Sequence, residues 1–103
     1  MEVMQQLKKT PHKKLHIVFG MVNDKDPSIV LQHLPKRAIY YFCKAKLPRS
    51  LDEKELTAAA KKFHLHGNPY PTVRNALKAA QAQAHRGDVI FVGGSTFVVA
   101  EAI

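Results

Sequence analysis

The residues best suited to chemistry lie in three polar segments, each following an apolar run. They combine cations, a hydroxyl and glycines that leave backbone N–H groups accessible; the segments contain Asp24, Lys25 and Asp26, then Lys44, Lys46 and Arg49, then Gly93, Gly94 and Ser95. Cationic side chains pair with carboxylates and phosphates, and the N–H groups at a helix start bind the same anions. Together the segments predict an anion-binding site.

Each of these residues also has a simpler explanation. Ser95 is well suited to capping a helix, and Gly93 with Gly94 to permitting a tight turn. Asp24 and Asp26 suit capping and charge neutralisation, or positioning of their loop. The functional interpretation therefore depends on all three segments meeting at one place.

The segments between these loops alternate between strand and helix patterns. Strands are predicted over 15–21, 38–45 and 89–92, with a short edge strand around Asn68-Pro69-Tyr70-Pro71, where prolines disfavour a central position. The predicted helices share apolar residues at helical spacing and recognisable caps. They cover residues 1–9, 26–34, the segment after a Ser50–Glu53 capping box up to a C-terminal cap at Gly67, 72–87, and the segment after Ser95 or Thr96.

This alternation predicts an α/β fold with a mainly parallel sheet and helices on both faces, a three-layer, Rossmann-like arrangement. In a parallel sheet the loops after the strands gather at one edge, which would bring the three polar segments together. The first helix has no strand before it, and the last ends after about two turns. We expect one domain over residues 1–103 that lacks an N-terminal strand and belongs to a larger protein.

Composition narrows the function classes. The chain has 103 residues, a formal charge of +8 and one cysteine, Cys43, within an apolar strand. The charge favours anionic partners, although the basic residues are scattered in small groups. A single cysteine fits a reducing cytoplasm, where we expect it to be a buried, inert thiol. The sequence shows neither a signal peptide nor a long apolar run of about 18 residues, so we expect no membrane partner.

Several familiar sites are absent from the sequence. No GxxxxGK[ST] loop and no GxGxxG fingerprint occurs, and Gly93-Gly94-Ser95 does not form a nucleophile elbow. His64 and His66 are two residues apart and would point to different faces of a helix, which disfavours a metal site. His12 and His16 are interpreted as surface residues. No metal ligand and no catalytic residue is predicted in the chain.

Four stretches of the sequence resemble one known family: HIVFGMVNDKD, AIYYFCKAKLPRSLDEKEL, YPTVRNAL and DVIFVGGSTFVVAEAI. Together they are similar, in order and over nearly all of residues 1–103, to the C-terminal domain of bacterial folylpolyglutamate synthase/dihydrofolate synthase, which shares its architecture with the Mur ligases. The P-loop domain of that family is missing, as is the Asp-Gly-Ala-His-Asn-like segment that comes before the first helix.

The resemblance implies an ATP-dependent ligase of folate metabolism that adds glutamate to folate or dihydropteroate through an acyl phosphate. It implies that ATP and Mg are held mainly by an N-terminal P-loop domain of the same polypeptide, with none in this part. By the same resemblance Lys25, Arg49 and Ser95 would bind glutamate, while Asp24, Asp26, Gly93 and Gly94 position the loops. The isolated chain is then expected to be inactive.

Two alternatives from other classes remain. The +8 charge would also suit a small basic module that binds RNA or another polyanion, although no exposed aromatic residues are interleaved with the basic groups and no RNA-binding motif occurs. A docking domain whose glycine-serine turn binds nothing is the third possibility.

Overall fold

A computed structural model describes residues 14–23, 26–46 and 48–94 of the chain. Strands and helices alternate along these residues in the order β1 (Leu15–Phe19), α1 (Pro27–Leu31), β2 (Ile39–Cys43), α2 (Glu53–Lys61), β3 (His66–Tyr70), α3 (Val73–Gln83) and β4 (Val89–Gly93). The helices predicted for residues 1–9 and after Ser95 lie outside the described residues.

The four described strands form one parallel sheet in the order β3-β2-β1-β4. Because β1 lies between β2 and β4, its residues are paired on both sides, with Ile17 opposite Tyr40 and Phe91. The predicted parallel sheet is confirmed, and so is the edge position of the proline-containing strand, although β3 begins two residues earlier than predicted.

Alternate residues of the central strands enter two separate apolar clusters. On one face Ile17 and Phe19 pack with α1 and α2, which contribute Leu31, Leu56 and Ala60. The opposite cluster contains Val18, Tyr41 and Cys43 together with the buried α3 residues Val73, Ala76 and Ala80. Helices therefore cover both faces, as predicted for three layers, and Cys43 is buried as predicted.

Two predicted helix starts are confirmed in detail. The Oδ1 of Asp26 accepts hydrogen bonds from the Ser28 N–H and hydroxyl, and Pro27 occupies the first turn of α1. Thr72 caps α3 through a hydrogen bond from the Asn75 N–H to its hydroxyl oxygen. Helix α1 ends at Leu31 instead of residue 34, because the chain continues in tighter turns.

The predicted capping box at Ser50 is wrong. Helix α2 is capped by Asp52, whose Oδ2 accepts from the N–H groups of Lys54 and Glu55. Ser50 is buried and forms an isolated antiparallel bridge with Val22, so it is held by the neighbouring loop instead of by the helix. Glu53 does not complete a capping box either, since its Oε2 is buried and has no hydrogen-bond partner.

The sequence suggested that Gly67 caps the C-terminus of α2, and this prediction is wrong. It lies within β3 opposite Tyr40, and a Cβ atom at this position would collide with the Tyr40 carbonyl oxygen and Cβ. The residue with positive φ after α2 is His64, at 62°. The glycine therefore permits the close approach of two strands, which a local pattern does not reveal.

Within the part of the chain that the structure describes, no helix is long and apolar enough to cross a membrane.

Candidate functional site at the carboxyl edge of the sheet

Backbone hydrogen bonds join the loops that follow β1 and β2. The Asn23 N–H donates to the Arg49 carbonyl oxygen over 2.6 Å, and the Leu51 N–H donates to the Met21 carbonyl oxygen over 2.8 Å. Between these bonds lies the antiparallel bridge of Val22 with Ser50. The two loops are thus held side by side beyond the ends of their strands, as the parallel sheet led us to expect.

The end of β4 lies at the same edge, where two glycines contact the backbone that follows β1. The Gly20 N–H donates to the Gly93 carbonyl oxygen over 3.4 Å. Gly94 has φ 109°, and a Cβ atom on it would lie far inside van der Waals contact with the Gly20 carbonyl oxygen. Here a glycine is required both by the backbone conformation and by the close approach of the neighbouring loop.

The edge therefore brings together the segments that carry the predicted site. Arg49 and Asp26 are exposed there, Gly93 is buried at the end of β4, and Gly94 is exposed. The remaining predicted positions, Asp24, Lys25 and Ser95, lie outside the described residues. The assignment of these seven residues to glutamate binding or to loop positioning stays a prediction.

The cations of the loop after β2 are arranged along this edge. Lys46 and Arg49 are exposed and Lys44 is half-buried. The Asp26 carboxylate, in the neighbouring loop, caps α1. Hydrogen bonds from the Ser28 hydroxyl, and to a lesser extent from the Ser28 N–H, hold its pKa below the usual value. Asp26 therefore stays ionised as the cap of α1, and its role in positioning the loop of the site stays a prediction.

A second polar cluster, at the opposite edge of the sheet, was missed in the sequence. His16 is fully buried, and the interpretation of it as a surface residue is wrong. Its Nε2 lies 3.0 Å from Asp88 Oδ2 and its Nδ1 lies 2.9 Å from the Tyr41 hydroxyl. The Tyr41 hydroxyl donates its hydrogen to Gln83 Oε1 over 3.1 Å, which connects the cluster to α3.

This cluster is well satisfied in its hydrogen bonds. Besides His16, the Asp88 Oδ2 accepts from the His85 backbone N–H over 3.0 Å. Hydrogen bonds from the His85 N–H and from His16 lower the pKa of Asp88, so the carboxylate is ionised at neutral pH. The only sequence signal was a histidine within an apolar strand and an aspartate just before another, too little to predict that the two would meet.

The described residues do not fit a metal centre. Within residues 14–23, 26–46 and 48–94, no three His, Cys, Asp or Glu side chains are grouped so that they could hold a metal ion. The exposed charged groups at the carboxyl edge include Lys46 and Arg49, and the binding of an anion by this edge stays a prediction.

Comparison with known proteins agrees with this architecture. Residues 1–96 match the family model described as Mur ligase, glutamate ligase domain. A protein of Haloferax volcanii named probable bifunctional folylpolyglutamate synthase/dihydropteroate synthase is 35% identical over 104 residues, which cover 98% of this chain and 12% of that protein.

Solved structures show the same fold. FolC of E. coli in complex with DHPP and ADP superposes with a TM-score of 0.78 at 24% identity, covering 96% of this chain and 23% of that one. The bifunctional folylpolyglutamate synthase/dihydrofolate synthase of Yersinia pestis, complexed with AMPPNP and Mn ion, superposes with a TM-score of 0.74 at 25% identity, covering 96% of this chain and 23% of that one.

The present chain thus spans 12% of its Haloferax relative and 23% of each of these structures. The resemblance found in the sequence is confirmed, and the chain belongs to the Mur ligase family as a glutamate ligase domain.

Proposed function

We propose that this chain is the C-terminal, glutamate-binding domain of an ATP-dependent ligase that adds glutamate to folate or dihydropteroate in the cytoplasm. In this reaction the folate carboxylate accepts a phosphoryl group from ATP, and the amine of glutamate then displaces phosphate to form an amide. The observation that carries the proposal is the meeting of three loops at the carboxyl edge of the sheet in a glutamate ligase domain.

The residues assigned to the glutamate end of the site come from the family resemblance and suit the chemistry of two carboxylates. Arg49 and Lys25 pair with the carboxylates of glutamate, because a guanidinium donates two parallel hydrogen bonds to a carboxylate and an ammonium adds a compact charge. Ser95 donates from its hydroxyl and Gly94 from its backbone N–H. The Asn23–Arg49 hydrogen bond supports this arrangement, since it holds the backbone of the cation-bearing loop in place.

The remaining parts of the reaction belong to a second domain. The sequence contains no phosphate-binding GxxxxGK[ST] loop, and the described residues do not form a metal site. On the family resemblance, we assign ATP and Mg to an N-terminal P-loop domain of the same polypeptide, which closes on the edge that carries Arg49. The 103-residue chain alone is expected to have no ligase activity.

The proposal can be tested by titrating the isotopically labelled chain with L-glutamate and following its backbone amide signals. Signals from residues 20–23, 49–52 and 93–94 should move together, with a dissociation constant of about 1 mM or weaker because half of the site is absent. Arg49→Ala should weaken this response. Lys36→Ala and Lys61→Ala are matched controls, since both remove an exposed cation near the opposite edge.

A parallel titration with a single-stranded RNA oligonucleotide separates the alternatives. Saturable RNA binding that weakens steeply with added salt, without a response to glutamate, would favour the polyanion-binding module. No response to either ligand would favour a docking domain. Equal effects of the Arg49, Lys36 and Lys61 variants on glutamate binding would mean that the net charge acts diffusely.

A further inference from the structure

The apolar pattern of β4 does not by itself specify how the strand pairs with β1. Val89 and Phe91 pack against the cluster beneath α1 and α2, whereas Ile90 and Val92 pack against the cluster beneath α3. All four side chains are apolar, so a shift of the strand by one residue would still place apolar groups on both faces. A strand with alternating polar residues would exclude such a shift.

The glycine turn excludes only some of these shifts. In the observed register Gly93 is opposite Phe19, and Gly94 approaches the Gly20 carbonyl oxygen. A shift in one direction would bring Ser95 to this crowded place, which has no room for a Cβ atom. A shift in the other direction would bring Gly93 there, and a second glycine fits equally well.

The polar pair at the other end of the strand distinguishes all of these registers. His16 is opposite Ile90, and its Nε2 lies 3.0 Å from Asp88 Oδ2, on the face covered by α3. A one-residue shift would turn Asp88 to the other face of the sheet. A two-residue shift would keep the face but move the carboxylate by about 7 Å, beyond hydrogen-bonding distance.

The burial of this pair makes an incorrect register costly. The His16 and Asp88 side chains are 1% and 2% exposed. In a shifted register Asp88 would lose His16 and keep only the local hydrogen bond from the His85 N–H, while the buried His16 Nε2 would be left without a partner. A buried polar group without a partner is destabilising. A well-packed apolar pair at the same positions would often be just as stable, but it would not discriminate between registers.

We propose that the His16–Asp88 pair selects the register of β4 on β1 and thereby positions the Gly93–Gly94 turn against Gly20 at the opposite edge of the sheet. Because β4 is a continuous strand of five residues, the register set beside His16 determines which residue reaches Gly20. The two residues are thus positioning residues for the carboxyl edge. This role concerns the turn itself and holds whether or not the edge binds glutamate.

The test is a double variant, His16→Val with Asp88→Val, which removes both partners and leaves no unpaired charge. Nuclear Overhauser contacts between β1 and β4 report the register directly, and the amide signals of Gly93 and Gly94 report the turn. We expect the variant to fold with a stability close to that of the unchanged chain, with signals of β4 and the turn split into two or more sets. The β1–β2 contacts should remain as a single set.

Tyr41→Phe is the matched control. It removes the hydroxyl that joins His16 to Gln83 but leaves the link between β1 and β4. This variant should keep one set of β4 signals in the native register. A double variant that folds with a single native register overturns the proposal. A double variant that does not fold overturns it too, because the pair would then be needed for stability and not for the choice of register.

Discussion

The Asn23 N–H donates a hydrogen bond of 2.6 Å to the carbonyl oxygen of Arg49, which joins the loop after β1 to the loop after β2. The two residues are far apart in sequence, and neither belongs to a helix or strand. The consequence is that the backbone at Arg49 is held by the loop that follows β1. A side chain that starts from a held backbone loses less conformational freedom when it binds a ligand.

Arg49→Ala tests the role of this residue in the proposed ligase. In the full-length enzyme the KM for glutamate should rise by about 10- to 100-fold, because a charge-assisted hydrogen bond contributes roughly 1.5–3 kcal/mol. The KM for ATP should change little, since ATP is assigned to another domain. Steady-state kinetics with each substrate varied in turn measure both values.

The control variants for Arg49 are Lys36→Ala and Lys61→Ala, each of which removes an exposed cation away from the carboxyl edge. Neither should alter the KM for glutamate. A rise in the KM for ATP equal to that for glutamate would contradict the assignment of Arg49.

Gly94→Ala tests the approach of the β4 turn to Gly20. The substitution introduces a Cβ atom at φ 109° against a backbone carbonyl that cannot move easily. We expect the free energy of unfolding to fall by about 1–3 kcal/mol from backbone strain alone, and further from the collision. Urea denaturation at neutral pH measures the change. Gly87→Ala is the control, because Gly87 lies in an exposed turn with a similar φ of 95° but without this contact. An equal loss of stability in both variants would show that Gly94 does not closely approach Gly20.

Gly67→Ala tests the close packing of β3 on β2. The added methyl group would meet the Tyr40 carbonyl oxygen and Cβ, so the strands must separate. Overpacking of this kind costs about 1–3 kcal/mol, and the β2 amides that pair with β3 should exchange faster with solvent. Asn68→Ala, at the next and exposed position of the strand, should leave hydrogen exchange nearly unchanged. Unaltered exchange in the Gly67 variant would show that β3 is not tightly held.

Asp88→Asn tests the acid stability of the chain. Hydrogen bonds from the His85 N–H, and next from His16, lower the pKa of Asp88 in the folded state. The stability that the carboxylate contributes is therefore complete above its unfolded pKa of about 3.9 and is lost as the pH falls through the lower folded pKa. In Asp88→Asn the decline of the free energy of unfolding below about pH 4 should be shallower.

Urea denaturation at a series of acidic pH values gives the two curves to compare for Asp88. Tyr41→Phe keeps the carboxylate and should lose stability in acid in parallel with the unchanged chain. If Asp88→Asn also follows that parallel course, Asp88 does not contribute to acid unfolding.

The sequence alone determined the architecture and the family. Alternating strand and helix patterns are local, because burial of one face imposes a period on the residues of each segment. The caps at Asp26 and Thr72 are local too, since each hydrogen bond spans only two or three residues. The place of the candidate site followed from one general property of parallel sheets, namely that the loops after the strands share an edge.

Only the tertiary structure decided how particular residues are used. Ser50 does not cap α2 because Val22, from another loop, pairs with it. Gly67 lies in a strand, where Tyr40 of the neighbouring β2 leaves no space for a side chain. His16 is buried between Tyr41 and Asp88, and these partners are 25 and 72 residues away in sequence. Contacts at such separations leave no periodic or local signal, so they become visible only when the strands are placed side by side.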